Sequence, residues 1–299
     1  MFLDTARNPP TCAPEERSVS GDEYARLAAQ LIVVLLCALT LKLYYSTASP
    51  NELRWILAPT TVLVELVSGT SFKFESHAGY ISGDHSFLIA ASCAGVNFLI
   101  TAFLMLSLRK LWRDRSQNPS HTLAWRFIPV AAVFAYLATL VANTVRISTA
   151  LRLQRMHLET SWLIGRLNAN QLHRFEGIFI YFGFLLLLFM VIERRSYIRT
   201  GSRGDRLLSF TSENPFGLLR QSVFPLLIYY ATTLGIPLAN GAFRQRSDFW
   251  EHSLFVLLTP LLLILPLAAF RYCRSLPLRN LRNLWILFAS IPIRHRRWF

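Results

Sequence analysis

The sequence predicts an all-α fold, a polytopic transmembrane helical bundle of about seven or eight membrane segments. Three observations predict it. Of the 299 residues 53% are hydrophobic and only 16% are charged, and the mean hydropathy is positive. The apolar residues gather into long blocks instead of spreading at amphipathic spacing, and most blocks approach the ~20 residues a helix needs to cross ~30 Å of hydrocarbon. The net charge of +14 resides mainly in arginines between those blocks. In a soluble chain such an excess would indicate nucleic acid. Here it fixes orientation and meets anionic lipid, so anionic lipids at the basic loops are expected partners and nucleic acid is not.

The elements follow in order. Residues 1–26 form a polar tail that lacks the pattern of a cleavable signal peptide. Apolar blocks run at 27–45, 54–70, 86–108, 127–146, 175–192, 218–238 and 252–270. The 54–70 block is short and holds Pro59 and Glu65, which suits a tilted or re-entrant piece. A further block at 284–293, before RHRRWF, is too short to cross and reads as an interfacial helix. Pro225, Pro237, Pro260 and Pro266 are expected to kink the last helices. The basic segments 109–126, 193–206 and 271–282 are separated by even numbers of blocks, so they share one face, the cytoplasmic one by the positive-inside rule. Segments 71–85, 147–173 and 239–251 then lie on the outer face, although 147–173 carries Arg152, Arg155 and Arg166 against the rule.

Four cysteines are present, and Cys12, Cys37, Cys93 and Cys273 offer no obvious disulfide pair or zinc pattern. Cys93, in IAASCAGVNFLI, lies inside the third block from its outer end, ~12 Å deep at about 1.5 Å per residue. Arg146, in ANTVRIST, ends the fourth block on that side, and His173, in NQLHRFEG, opens the fifth there. Topology thus delivers a thiol, a guanidinium and an imidazole to one membrane face. A thiolate is the reactive form of cysteine and a nearby cation favours it. Arg146 can supply that cation or hold an oxyanion, and His173 can move protons near neutrality. Asn97 is expected on the helical face of Cys93, Asn143 shares a face with Arg146, and Glu176 follows His173 by one turn and can orient it. Ala90, Ala91, Ser92, Ala94 and Gly95 leave room beside the sulfur.

Each residue also has a bland reading. A lone membrane cysteine is usually a small hydrophobe, as Cys37 is read. Small residues permit helix packing, and arginines at helix ends snorkel to headgroups. His77 and His85 are loop residues whose spacing gives no metal site. Glu65, an intramembrane carboxylate, is expected to pair with an arginine.

Residues 54–195 resemble the exosortase/archaeosortase family, and SCAGVNF resembles its exosortase K subgroup. The resemblance rests on Cys93-Ala94-Gly95, Asn143-Thr144-Val145-Arg146-Ile147 and His173, in that order and at matching separations. It implies a transmembrane catalytic domain over 27–195, and a membrane-embedded cysteine transpeptidase or thiol protease that needs no cofactor or metal. Its substrate would be a membrane protein with a C-terminal sorting signal: a short motif, a transmembrane helix and a basic cluster. By the resemblance Cys93 is the nucleophile, Arg146 stabilises the carbonyl and His173 is the acid/base, and the cleaved protein passes to a surface acceptor. Residues 196–299 fall outside it and read as additional membrane helices with a basic tail. Two other readings stand beside it: a non-enzymatic, flippase-like handler of lipid or polymer, and an intramembrane protease with water as acceptor.

Overall fold

The computed structural model describes residues 21–117, 125–155, 169–200, 216–245 and 249–275. The chain is an integral membrane protein built as an all-α bundle. Helix α1 covers Gly21–Thr47, α2 Arg54–Ser68, α3 Val96–Gln117, α4 Phe127–Arg155 and α5 Ala169–Thr200. Then follow α6 (Phe216–Tyr230), the short α7 (Ile236–Ala239) and α8 (Ala242–Gln245), and α9 (Phe249–Ser275). Six stretches among the described residues are long and apolar enough to cross a membrane. The 284–293 block lies outside the described residues.

Helix α3, with the turn before it, is the centre of the bundle: 72% of its apolar window is buried, against 17% for α1. The other helices turn Leu, Val and Phe side chains outward, as a bundle in hydrocarbon does. Polar ties fix the heights of the helices. Arg109 of α3 grips both carboxylate oxygens of Glu193 of α5 through Nε and Nη2, at 2.6 and 2.8 Å, and its charge lies 5.9 Å from the Phe189 ring. At the opposite end Lys42 of α1 donates to Asn97 at the start of α3, 2.8 Å. Gln171 at the start of α5 donates to Glu251 at the start of α9, also 2.8 Å. The ends of α3, α5 and α9, and the starts of α1, α4 and α6, therefore share one end of the bundle, which is the basic end. Of the prolines expected to kink the last helices, Pro237 follows a π turn at Ala231–Gly235, while Pro225, Pro260 and Pro266 lie within helices that continue through them.

The end of α1 and the start of α3 sit together, so everything between them enters and leaves on one face. Helix α2 does not cross. It packs along α4, where Tyr136 stacks on Trp55 (5.9 Å) and its hydroxyl donates to the Trp55 carbonyl (2.8 Å). It stops at Gly69, whose left-handed φ of 68° suits glycine at a helix end. Glu65 does not meet an arginine: it accepts the Phe72 N–H at 2.7 Å, satisfying a strand edge instead.

That edge belongs to a feature the periodicity did not announce. Segment 71–85 and the start of the third apolar block form a three-stranded antiparallel sheet, β1 (Phe72–Glu75), β2 (Gly79–Ser82) and β3 (Leu88–Ile89), in the order β1-β2-β3. In the β2–β3 turn, hydrogen bonds from Ser82 and Ser86 hold the Asp84 carboxyl at a pKa of about 2. At the other end of β2 Gly79 is required, because a Cβ would collide with the Ile89 carbonyl oxygen.

Candidate active site

Strand β3 leads directly into a 3-10 turn, Ala91–Ala94, that carries Cys93. The expectation of a thiol buried within a membrane helix is therefore corrected. Cys93 precedes α3, on a re-entrant segment, because Gly95 takes a left-handed φ of 72° and separates the turn from the helix. A Cβ at Gly95 would come within 3.2 Å of Asn143, Thr139 and the Tyr181 hydroxyl, so only glycine lets this turn lie against α4 and α5. The same break overturns the expected shared face of Cys93 and Asn97. Asn97 points to α1 and is taken by Lys42.

Arg146 is also differently placed than its block suggested. It lies within α4, which continues to Arg155. Its guanidinium is tied on two sides: Nη1 donates to the Tyr181 hydroxyl at 3.2 Å, and Nη2 meets His173 Nε2 at 3.1 Å. An arginine can only donate, so His173 Nε2 accepts and its proton resides on Nδ1. That nitrogen faces Glu176 Oε2 at 3.6 Å, so Glu176 lies where a carboxylate would select this tautomer.

A second chain of contacts reaches the cysteine. The Tyr181 hydroxyl donates to Asn143 Oδ1 at 2.8 Å, and Asn143 Nδ2 donates to the Cys93 carbonyl at 2.6 Å. Asn143 is fully buried. The thiol itself is hydrogen-bonded to neither Arg146 nor His173 among the described residues, although it lies within electrostatic range of Arg146 and Tyr181. Tyr45 of α1 lies within the same range of Cys93, Arg146 and Tyr181. The structure thus brings Arg146, His173, Glu176, Asn143 and the Cys93 turn together from three segments, and leaves Asn97 out.

Tyr181 is the residue that sequence reasoning missed. It bridges Arg146 to Asn143 and is held in place by Phe98, which stacks on it at 5.1 Å. A signal was present: His173, Gly177 and Tyr181 recur every four residues and share one face of α5. Gly177 has its own task, since a Cβ there would stand 3.0 Å from Arg146 Nε. For an enzyme working through this site, Gly177→Ala should displace the guanidinium and slow turnover by about ten- to a hundredfold while the fold survives. Turnover that matches wild type, measured beside the amount of folded protein, would show that the guanidinium position does not matter.

Among the described residues no group of three or more His, Cys, Asp or Glu side chains is placed to hold a metal. Arg166 of the 147–173 segment lies outside the described residues. Compared with known protein families, with curated proteins and with solved structures, the chain matches none.

Proposed function

We propose that this protein is a membrane-embedded cysteine transpeptidase that cleaves a C-terminal sorting signal from exported proteins, with its site at the outer face of a bacterial plasma membrane. The observation that carries the reading is the Arg146–His173 contact at 3.1 Å beside a cysteine turn held by Asn143. A basic end opposite to the site supports the outer placement. The resemblance of the three motifs to exosortases supplies the substrate class.

The reaction needs a nucleophile, a proton carrier and an oxyanion donor. As substrate enters, Arg146 leaves His173 Nε2 for the scissile carbonyl oxygen, and Nε2 becomes free to accept the Cys93 proton. The thiolate attacks the carbonyl carbon, and the guanidinium carries the negative charge of the tetrahedral intermediate. The C–N bond breaks as Nε2–H passes its proton to the leaving amine. The exported portion remains on Cys93 as a thioester, and the helix with its basic cluster departs with a free amine. An acceptor nucleophile then attacks the thioester, losing its proton to His173 and restoring the thiol. The Glu176 carboxylate, 3.6 Å from Nδ1, favours the proton there, which keeps Nε2 the working nitrogen.

The test is co-expression with a tagged exported protein bearing a motif, a transmembrane helix and a basic cluster, followed by the mass of the shortened product. A product joined to an acceptor group is expected. A free carboxylate would assign the acceptor role to water, and a full-length client beside active, folded protein would remove the enzyme reading.

A further inference from the structure

We propose that the open edge of β3 binds the substrate's extended segment as a fourth strand, so that recognition next to the scissile bond is made by backbone and is tolerant of sequence. This inference rests on the reading of Cys93 as nucleophile.

The ladder fixes which backbone groups are free. The Ser82 N–H donates to the Phe87 carbonyl at 2.9 Å, and the register pairs Ile81 with Leu88 and Tyr80 with Ile89. In an antiparallel pair bonded and non-bonded positions alternate, so Phe87 and Ile89 face β2. The N–H and C=O of Leu88 point to the other side, away from the sheet. Leu88 is 44% exposed.

The two edges of the sheet are treated differently. On the β1 edge, the outward Phe72 N–H is met by Glu65, and the Phe74 ring is covered by Arg54 at 4.6 Å. On the β3 edge, the Ser86 carbonyl accepts from Gln154 near the end of α4 at 3.0 Å. Six residues on in the chain from Leu88's neighbour Phe87, the Cys93 carbonyl accepts from Asn143, lower on the same helix. Leu88 lies between these two ties, and among the described residues no strand pairs with its outward edge. Open edges recruit strands, and peptide-binding proteins use them in this way.

The position of the edge gives it a purpose. The sheet runs from α2 at β1 to α4 at β3, and α4 carries Asn143 and Arg146. A peptide laid beside Leu88 and continuing along the chain direction of β3 arrives at the Cys93 turn after about three or four residues, at ~3.3 Å per extended residue. Its carbonyl then meets the thiol with Arg146 and His173 beside it. An extended segment followed by an apolar helix would fit both the strand edge and the surrounding bilayer.

The probes are chloromethyl ketones of N-acetylated tetra-alanine, which alkylate a thiolate with loss of chloride, with iodoacetamide as the backbone-free control. Two isomers carry N-methyl groups on alternate residues, one at the first and third alanines and the other at the second and fourth. Strand pairing uses every second N–H, so one isomer should label Cys93 about tenfold more slowly than the other. Leu88→Pro removes an N–H that β2 does not use and should abolish the difference while iodoacetamide labelling persists. Equal rates for the two isomers on the wild-type protein overturn the inference, whatever the variant does. A Cys93 that no reagent labels overturns the nucleophile reading beneath it.

Discussion

Cys93→Ala is expected to abolish processing of a co-expressed client, with a loss of roughly four to six orders of magnitude, the scale seen when a catalytic nucleophile is removed. The protein should still accumulate in the membrane. Cys93 is only part-buried at the rim of the core, and its anchor to α4 is the backbone carbonyl that Asn143 holds, which alanine keeps. Losing the sulfur therefore costs about 1 kcal/mol or less of packing. Client cleavage read by immunoblot, beside the yield of detergent-extracted protein, separates the two effects. Cleavage that persists in the alanine variant would return the chain to the class of non-enzymatic membrane proteins.

Arg146→Lys should lose about a hundred- to a thousandfold in kcat, the worth of an oxyanion donor, with little change in KM. Lysine keeps the charge but not the fork. The guanidinium reaches Tyr181 with one nitrogen and His173 with the other, and it lies over the Tyr181 ring at 5.3 Å. An ammonium on a flexible stem cannot hold all three relations at once. A rise in KM with kcat unchanged would instead make Arg146 a binding residue. In that event the tetrahedral intermediate has a different partner.

Much of this was legible in the sequence because hydrophobic blocks and charge asymmetry are long-range signals. The helical bundle and its basic end follow from them directly, whereas the expected seven or eight membrane segments reduce to six helices long and apolar enough to cross among the described residues. Glu65 and Pro59 marked 54–70 as a tilted or re-entrant candidate and left its crossing open, which the contact between Lys42 and Asn97 decides. That Arg146 and His173 share one end of the bundle was readable from the block order, but the helices run past both: α4 continues to Arg155 and α5 starts at Ala169.

The rest depended on short-range backbone geometry that apolar periodicity does not report. Leu88 and Ile89 read as the entry to a membrane helix, yet Gly79 and the turn at Asp84 allow them to close a small sheet. Gly95 then breaks the helix between Cys93 and Asn97, which is why helical spacing assigned Asn97 to the wrong group. Lys42, a cation inside an apolar block, was the available hint that Asn97 had another partner. Tyr181 lay on the His173 face of α5 and was overlooked because a tyrosine in an aromatic-rich helix reads as packing.

The most direct test of the account is to trap the acyl intermediate. Purified protein in membranes is mixed with the client and quenched in acid, and the Cys93 peptide is examined by mass spectrometry, with hydroxylamine added to a parallel sample. The account predicts an adduct on Cys93 with the mass of the client's cleaved portion, released by hydroxylamine as a hydroxamate, and greater accumulation when the acceptor is withheld. Turnover with no adduct at Cys93, or with the adduct on another residue, would contradict it.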